Sequence, residues 1–100
     1  MFNSINLTLY TQDDCGYCHL LKKKLAEWDF RYREINVSYD LFAKDFLKEK
    51  GHRTVPQLYW NNTHLNKLPT TELTYEHICA ELDYENYIGG VENWQVRASQ

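Results

Sequence analysis

The sequence predicts one α/β domain with a four-stranded mixed sheet flanked by three helices, in the order β-α-β-α-β-β-α with a C-terminal extension. Three observations carry this. Two segments of alternating apolar and polar residues enclose a segment whose apolar residues recur at helical spacing. A second helical stripe follows the second of them. Two short apolar runs then meet at Asn61-Asn62 ahead of a third helical stretch. At 100 residues and 43% hydrophobic, the chain suits one domain with a core that needs no disulfide staples.

In the first strand, within the run 5–10, Ile5, Leu7 and Leu9 alternate with polar residues. Over 15–28, Cys18, Leu21, Leu25 and Trp28 repeat at three- and four-residue intervals, an amphipathic helix for which Asp13 or Asp14 is a suitable N-cap. Residues 31–37 alternate again around Tyr32 and Ile35. Tyr39, Phe42, Ala43, Phe46 and Leu47 form a helical stripe between Ser38, a capping residue, and Gly51, a stop. Residues 56–60 and 63–66 read as strands three and four, joined tightly because Asn tolerates positive φ. Thr70 or Thr71 is placed to cap a third helix running to about Tyr87, with Leu73, Ile78 and Leu82 on its apolar side. Gly89-Gly90 then divides a domain at 1–88 from a mostly polar tail at 89–100, which holds Trp94. Strands one and two, joined through a helix, should be parallel with a right-handed crossover; the tight turn makes the last two antiparallel.

Composition narrows the functional classes. A net charge of −3 argues against nucleic acid, whose phosphates demand clustered Lys and Arg. The one basic run, Lys22-Lys23-Lys24, reads as a solvated helix face. No stretch approaches the roughly 20 apolar residues of a membrane span, and the N-terminus lacks the pattern of a signal peptide. Three cysteines, an odd number, fit a reducing cytoplasm better than a secreted scaffold.

The chemistry concentrates at Cys15-Gly16-Tyr17-Cys18, where the first strand ends and the first helix begins. Cysteines three apart at a helix start share one face, within reach of a disulfide; the arrangement resembles a thioredoxin-like redox site. Unpaired backbone N–H groups and the helix dipole favour a thiolate at Cys15, while Cys18, a turn deeper, is placed to resolve a mixed disulfide. A zinc site would need His77 and Cys79 as a second pair, and two residues apart on a helix they point in opposing directions. No metal is expected. His52 and His64 read as surface residues and Cys79 as a structural thiol. Pro56 opens the third strand, either as an ordinary strand-start proline or as a cis-proline that frees Val55's backbone for an extended peptide.

Tyr10-Thr11, the CxxC and Thr54-Val55-Pro56-Gln57 about forty residues on together resemble a dithiol glutaredoxin over roughly residues 5–83. The resemblance implies a thioredoxin fold, a cis-proline at Pro56, and glutathione as co-substrate with no tightly bound cofactor. It implies that Tyr17 lines the glutathione groove and that Thr54 and Val55 contact the tripeptide. Three departures stand out. Gln12, followed by Asp13 and Asp14, replaces a frequent basic residue, and two carboxylates there should raise the Cys15 pKa. Asn66-Lys67-Leu68-Pro69-Thr70-Thr71 replaces a Gly-Gly and a following Asp that hold the glutamyl end; Lys67, Thr70 and Thr71 are the residues able to take over part of that contact. Gly16 stands where many relatives have proline; some relatives with a small residue there bridge a [2Fe–2S] cluster through the first cysteine, here Cys15, and glutathione.

The expected function is therefore glutathione-linked reduction of protein disulfides or glutathione mixed disulfides by a monomeric, cytoplasmic protein. Ribonucleotide reductase is a candidate partner. The alternatives are an iron–sulfur glutaredoxin and a redoxin reduced by thioredoxin reductase.

Overall fold

Leu7 and Leu9 point to one face of the first strand and Tyr10 to the other, and this alternation organises the molecule. The computed structural model describes the backbone of residues 6–89 and the side chains of residues 6–82. Strand β1 (Leu7–Thr11) pairs in parallel with β2 (Tyr32–Asn36), from Leu7 opposite Tyr32 to Thr11 opposite Asn36. On its other edge it pairs antiparallel with β3 (Gln57–Trp60), Leu9 opposite Leu58, and β3 pairs antiparallel with β4 (Thr63–His64). The strand order is β2-β1-β3-β4. Helices α1 (Gly16–Glu27), α2 (Leu41–Glu49) and α3 (Tyr75–Gly89) complete the β-α-β-α-β-β-α order. The fold is thioredoxin-like, as expected.

One cluster joins Leu7, Leu9 and Leu58 of the sheet to Leu21 and Leu25 of α1 and Ile78 and Leu82 of α3, with Phe30, Leu65 and Leu73 closing its ends. On the opposite face Val37, Ala43 and Leu47 are packed with Tyr10, Ile35, Phe46 and Val55, so α2 covers the other side. The redox segment thus leaves the central strand between two packed layers, at the carboxyl end of β1, where an α/β sheet opens a crevice.

Several local expectations are corrected. Helix α1 is capped by Cys15, whose Sγ accepts from Cys18 N, not by Asp13 or Asp14. Asp14 adopts a left-handed φ of 55°, and the Asp13 carboxylate is occupied by Asn36 and Tyr39. Helix α2 is capped by Asp40, whose Oδ1 accepts from Ala43 N at 3.0 Å; Ser38 Oγ instead accepts from Asp13 N. The helix therefore starts at Leu41, which leaves Tyr39 before it and turns Phe42 outward, both exposed rather than core. Helix α3 starts at Tyr75 with Thr74 Oγ1 accepting from His77 N, because Pro69–Leu73 folds into turns that use Thr70 as a carbonyl acceptor. The basic run is not simply solvated: Lys22 pairs with Glu34, and Lys24 Nζ donates to the carbonyls of Thr70 at 2.7 Å and Leu73 at 3.0 Å. His52 and His64 are half-buried, their ring centroids 4.6 Å apart and the rings tilted by 53°. Ile5, the segment 90–100 and Trp94 lie outside the described residues.

Strand β4 is shorter than the expected 63–66. Leu65 N still donates to Leu58 O at 2.9 Å, but the next rung is made by a side chain. Asn66 Oδ1 accepts from Leu58 N at 2.8 Å, and its Nδ2 donates to Pro56 O at 3.0 Å. A buried amide thus replaces the backbone as the edge of the sheet beside Pro56.

Candidate active site

Because the strand–helix junction falls on Cys15, its sulfur meets the orphan N–H groups of the first turn. Cys15 and Cys18 are joined as a disulfide, their Cα atoms 5.2 Å apart. Cys15 Sγ accepts the Cys18 N–H at 3.2 Å, a bond that strengthens when the sulfur is a thiolate. Cys15 is half-buried while Cys18 is 2% exposed, so an incoming disulfide reaches the first sulfur and not the second. At Gly16 an added Cβ would meet nothing within 4 Å, so no close approach demands glycine there.

The Val55–Pro56 peptide is cis, and Val55 O lies 3.8 Å from Cys15 Sγ. Gln57 Nε2 donates to Thr54 O at 3.0 Å. That bond leaves Gln57 Oε1 facing His64 Nε2 at 2.7 Å, so the imidazole nitrogen donates. His52 Nε2 in turn meets Tyr59 Oη at 2.7 Å. Burial lowers the pKa of both imidazoles, and for His64 the nearby His52 lowers it further.

On the other side of Cys15, Asp13 accepts hydrogen bonds from Tyr39 Oη and from Asn36 Nδ2. The Tyr39 bond, then the Asn36 bond, hold the Asp13 carboxyl below its ordinary range, so a negative charge persists two residues before the thiol.

Beside the disulfide a cavity of about 570 Å³ opens. Tyr17, Thr54, Val55, Pro56, Lys67, Thr70 and Thr71, the residues singled out from the sequence alongside the cysteines, all line it. Tyr17 stands at the rim, 61% exposed, and Thr70 is buried. Lys67 Nζ is 3.4 Å from Glu81 of α3, so its charge is already engaged.

Gln57, His64 and Asn66 also line the cavity and escape the sequence reading as site residues. The hairpin contains the missing signal. With Trp60 opposite Thr63 and Tyr59 opposite His64, continuing the register sets Gln57 against Asn66 and diagonal to His64. Among the described residues no three His, Cys, Asp or Glu side chains are gathered to hold a metal ion, and no helix is long and apolar enough to cross a membrane.

A cysteine pair at a helix N-cap, its first sulfur 3.8 Å from the carbonyl of a cis-proline loop that borders a cavity, defines a thiol-disulfide oxidoreductase site. The glutaredoxin family model matches residues 7–65, and the chain belongs to the glutaredoxin family. It is similar to Glutaredoxin 3 of Escherichia coli K12, 28% identical over 61 residues that cover 60% of this chain and 74% of that protein. It is also similar to the glutaredoxin-like protein NrdH of Salmonella typhimurium LT2, 31% identical over 52 residues covering 52% and 64%. Among solved structures, the NrdH-redoxin of Escherichia coli aligns with a TM-score of 0.57 at 28% identity, over 60% of this chain and 79% of that one. A buckwheat glutaredoxin in complex with glutathione aligns at 0.59 and 26% identity, over 81% and 76%. The family match includes both cysteines and Thr54-Val55-Pro56 and ends at Leu65, immediately before the segment 66–71 that departs from the family pattern.

Proposed function

We propose that this chain is a glutathione-linked reductase of protein disulfides and glutathione mixed disulfides. The single observation that carries the reading is the cavity of about 570 Å³ near Cys15, whose lining combines Tyr17 and Thr54–Pro56 with Lys67, Thr70 and Thr71. In the reduced protein the Cys15 thiolate attacks one sulfur of the substrate disulfide. A Sγ–S bond forms, the substrate S–S bond breaks, and the leaving thiolate takes a proton from water. Cys18, deprotonated to solvent, then attacks Cys15 Sγ and expels the second substrate sulfur. Two electrons have passed to the substrate, and the Cys15–Cys18 disulfide remains. One glutathione thiolate opens that disulfide at Cys15, freeing Cys18. A second attacks the bound glutathione sulfur, which restores the Cys15 thiolate and releases glutathione disulfide.

The lining of the cavity supports the following roles. Val55's backbone pairs with the tripeptide as an added strand, Tyr17 covers it, and Thr70 and Thr71 offer hydroxyl and N–H donors to its glutamyl end. The test is a glutathione-coupled assay run beside one coupled to thioredoxin reductase. Cys15→Ser should abolish activity in both. Cys18→Ser should keep activity on glutathione mixed disulfides and lose direct reduction of protein disulfides. Full activity of Cys15→Ser would overturn the mechanism.

A second reading, reduction by thioredoxin reductase, is favoured by one observation. Asn66 spends its amide on Leu58 and Pro56, and Lys67 is drawn to within 3.4 Å of Glu81, so the segment offers a glutamyl group fewer uncommitted polar contacts. Turnover in the thioredoxin-reductase assay alone would select it.

A further inference from the structure

A second cavity, about 370 Å³, lies on the far side of Val55. It shares Thr54 and Val55 with the first, and its wall carries Lys44 and Lys48 of α2 together with Arg53. No carboxylate lines it, and among the described residues none of the three cations has a carboxylate within 4 Å. In a chain of net charge −3 this is a local reversal of sign, and it sits against the residue whose carbonyl is 3.8 Å from Cys15 Sγ. Leu41, 73% exposed, stands three residues before Lys44 and seven before Lys48, on the same stripe of α2.

We propose that this cavity and Leu41 are a docking surface for acidic polypeptide: a disulfide-bearing protein whose chain next to the reacting cysteine carries alternating carboxylates and an apolar anchor. The substrate class rests on the thiol–disulfide reading above. Lys44 and Lys48 are one helical turn apart, about 6 Å along the axis. That is close to the ~6.6 Å between residues i and i+2 of an extended chain. A strand passing Val55 therefore brings every second side chain to a cation, and Arg53 offers the fork that binds a carboxylate with two hydrogen bonds. The site supplies a charge pattern and leaves the register to the backbone, which gives steering and selectivity toward acidic partners.

The test uses synthetic peptides with an internal disulfide followed by Glu-x-Glu-Leu or Lys-x-Lys-Leu, and hydroxyethyl disulfide as a small neutral substrate. Single-turnover reduction by the pre-reduced protein is followed by acid quench and chromatography. At low ionic strength the Glu peptide should react about 10-fold faster than the Lys peptide, and the gap should close as salt shortens the Debye length from ~30 Å to a few Å. The triple variant Lys44→Gln, Lys48→Gln, Arg53→Gln should lose the preference and reduce hydroxyethyl disulfide at the wild-type rate. Leu41→Ser should slow only the peptides.

Equal rates for the two peptides with the wild type, or a preference that survives salt or the triple variant, overturn the proposal. So does a wild-type dimer in sedimentation that the triple variant dissolves, since a second copy would then be the occupant. If hydroxyethyl disulfide is not reduced at all, the oxidoreductase reading fails. Docking is then still decided by fluorescence anisotropy of cysteine-free Glu and Lys peptides: selective binding of the Glu peptide upholds it, and equal binding sinks it.

Discussion

Replacing Asn66 by alanine removes both hydrogen bonds that close the sheet beside Pro56, and the size of the effect can be worked from the structure. Asn66 is 8% exposed, and it satisfies one donor, Leu58 N at 2.8 Å, and one acceptor, Pro56 O at 3.0 Å. Each buried backbone group left unpaired costs about 1–3 kcal/mol, and the cavity at its side admits some water, so Asn66→Ala should lose about 2–4 kcal/mol. At about 4–8 °C per kcal/mol for a domain of this size, the melting temperature should fall by more than ~8 °C. Asn66→Asp adds a diagnostic. Its carboxylate still accepts from Leu58 N but repels Pro56 O, whereas the protonated acid can donate to that oxygen. The folded state thus holds the proton more tightly than the unfolded chain, so the contribution of this group, read as the difference from wild type, is present at low pH and lost as pH rises. Urea unfolding of the oxidised proteins, fitted for midpoint and slope, reads both effects. An Asn66→Ala protein within about 0.5 kcal/mol of wild type, or an Asn66→Asp protein whose deficit relative to wild type is smaller at pH 7 than at acid pH, would refute the reasoning.

Lys24→Met leaves the Thr70 and Thr71 side chains in place but unties Thr70 O and Leu73 O from α1. Bonds from a charged donor contribute about 1.5–3 kcal/mol each at most, so a loss of roughly 2 kcal/mol is expected, with KM for glutathione mixed disulfides raised and kcat retained. Asp13→Asn should lower the Cys15 pKa measured by ultraviolet thiolate absorbance, and the difference from wild type should shrink in about 1 M salt, because Asp13 is exposed and screened. An unchanged titration would show that the carboxylate does not act on the thiol. His52 and His64 give the pH dependence of stability. Both are held below 6.5 by burial, so the unfolded chain binds more protons than the fold as pH falls through 6.5. Stability is full above that value and declines below it; urea midpoints that stay level between about pH 7.5 and 5, or fall equally in a His52→Gln, His64→Gln double variant, would contradict this.

How much of this was legible in the sequence depends on which force sets each feature. The core stripes of α1 and the alternation of β1 are hydrophobic patterns, and Cys18, Leu21, Leu25, Leu7 and Leu9 are buried where the pattern puts them. The caps were not legible, because Ser38 and Asp40, or Thr70, Thr71 and Thr74, are equally good cappers; tertiary partners chose between them. Tyr39 and Phe42 follow helical spacing yet face water, since the Asp40 cap starts the helix after Tyr39 and turns Ala43 and Leu47 inward. The cysteines and Thr54-Val55-Pro56 announce themselves by type and spacing. Asn66 does not: its role is to be a surrogate backbone, and nothing in residue identity says that a side chain will take a ladder rung. Lys24 was hidden for the converse reason, since its long stem carries the charge to carbonyls 46 and 49 residues away in the chain.

Cys15 is at once the nucleophile and the N-cap of its own helix, and this ties reactivity to stability by linkage. The thiolate accepts the Cys18 N–H better than the thiol does, so whatever lowers the Cys15 pKa in the fold must stabilise the reduced protein as pH rises through that titration. Substitutions at this position then separate two losses that an alanine would confound. Serine keeps a good cap and removes the chemistry, whereas alanine removes both and should cost about a further 1 kcal/mol of folding stability. The helix and the reaction draw on the same lone pairs, and a more stable reduced state is also a poorer reductant.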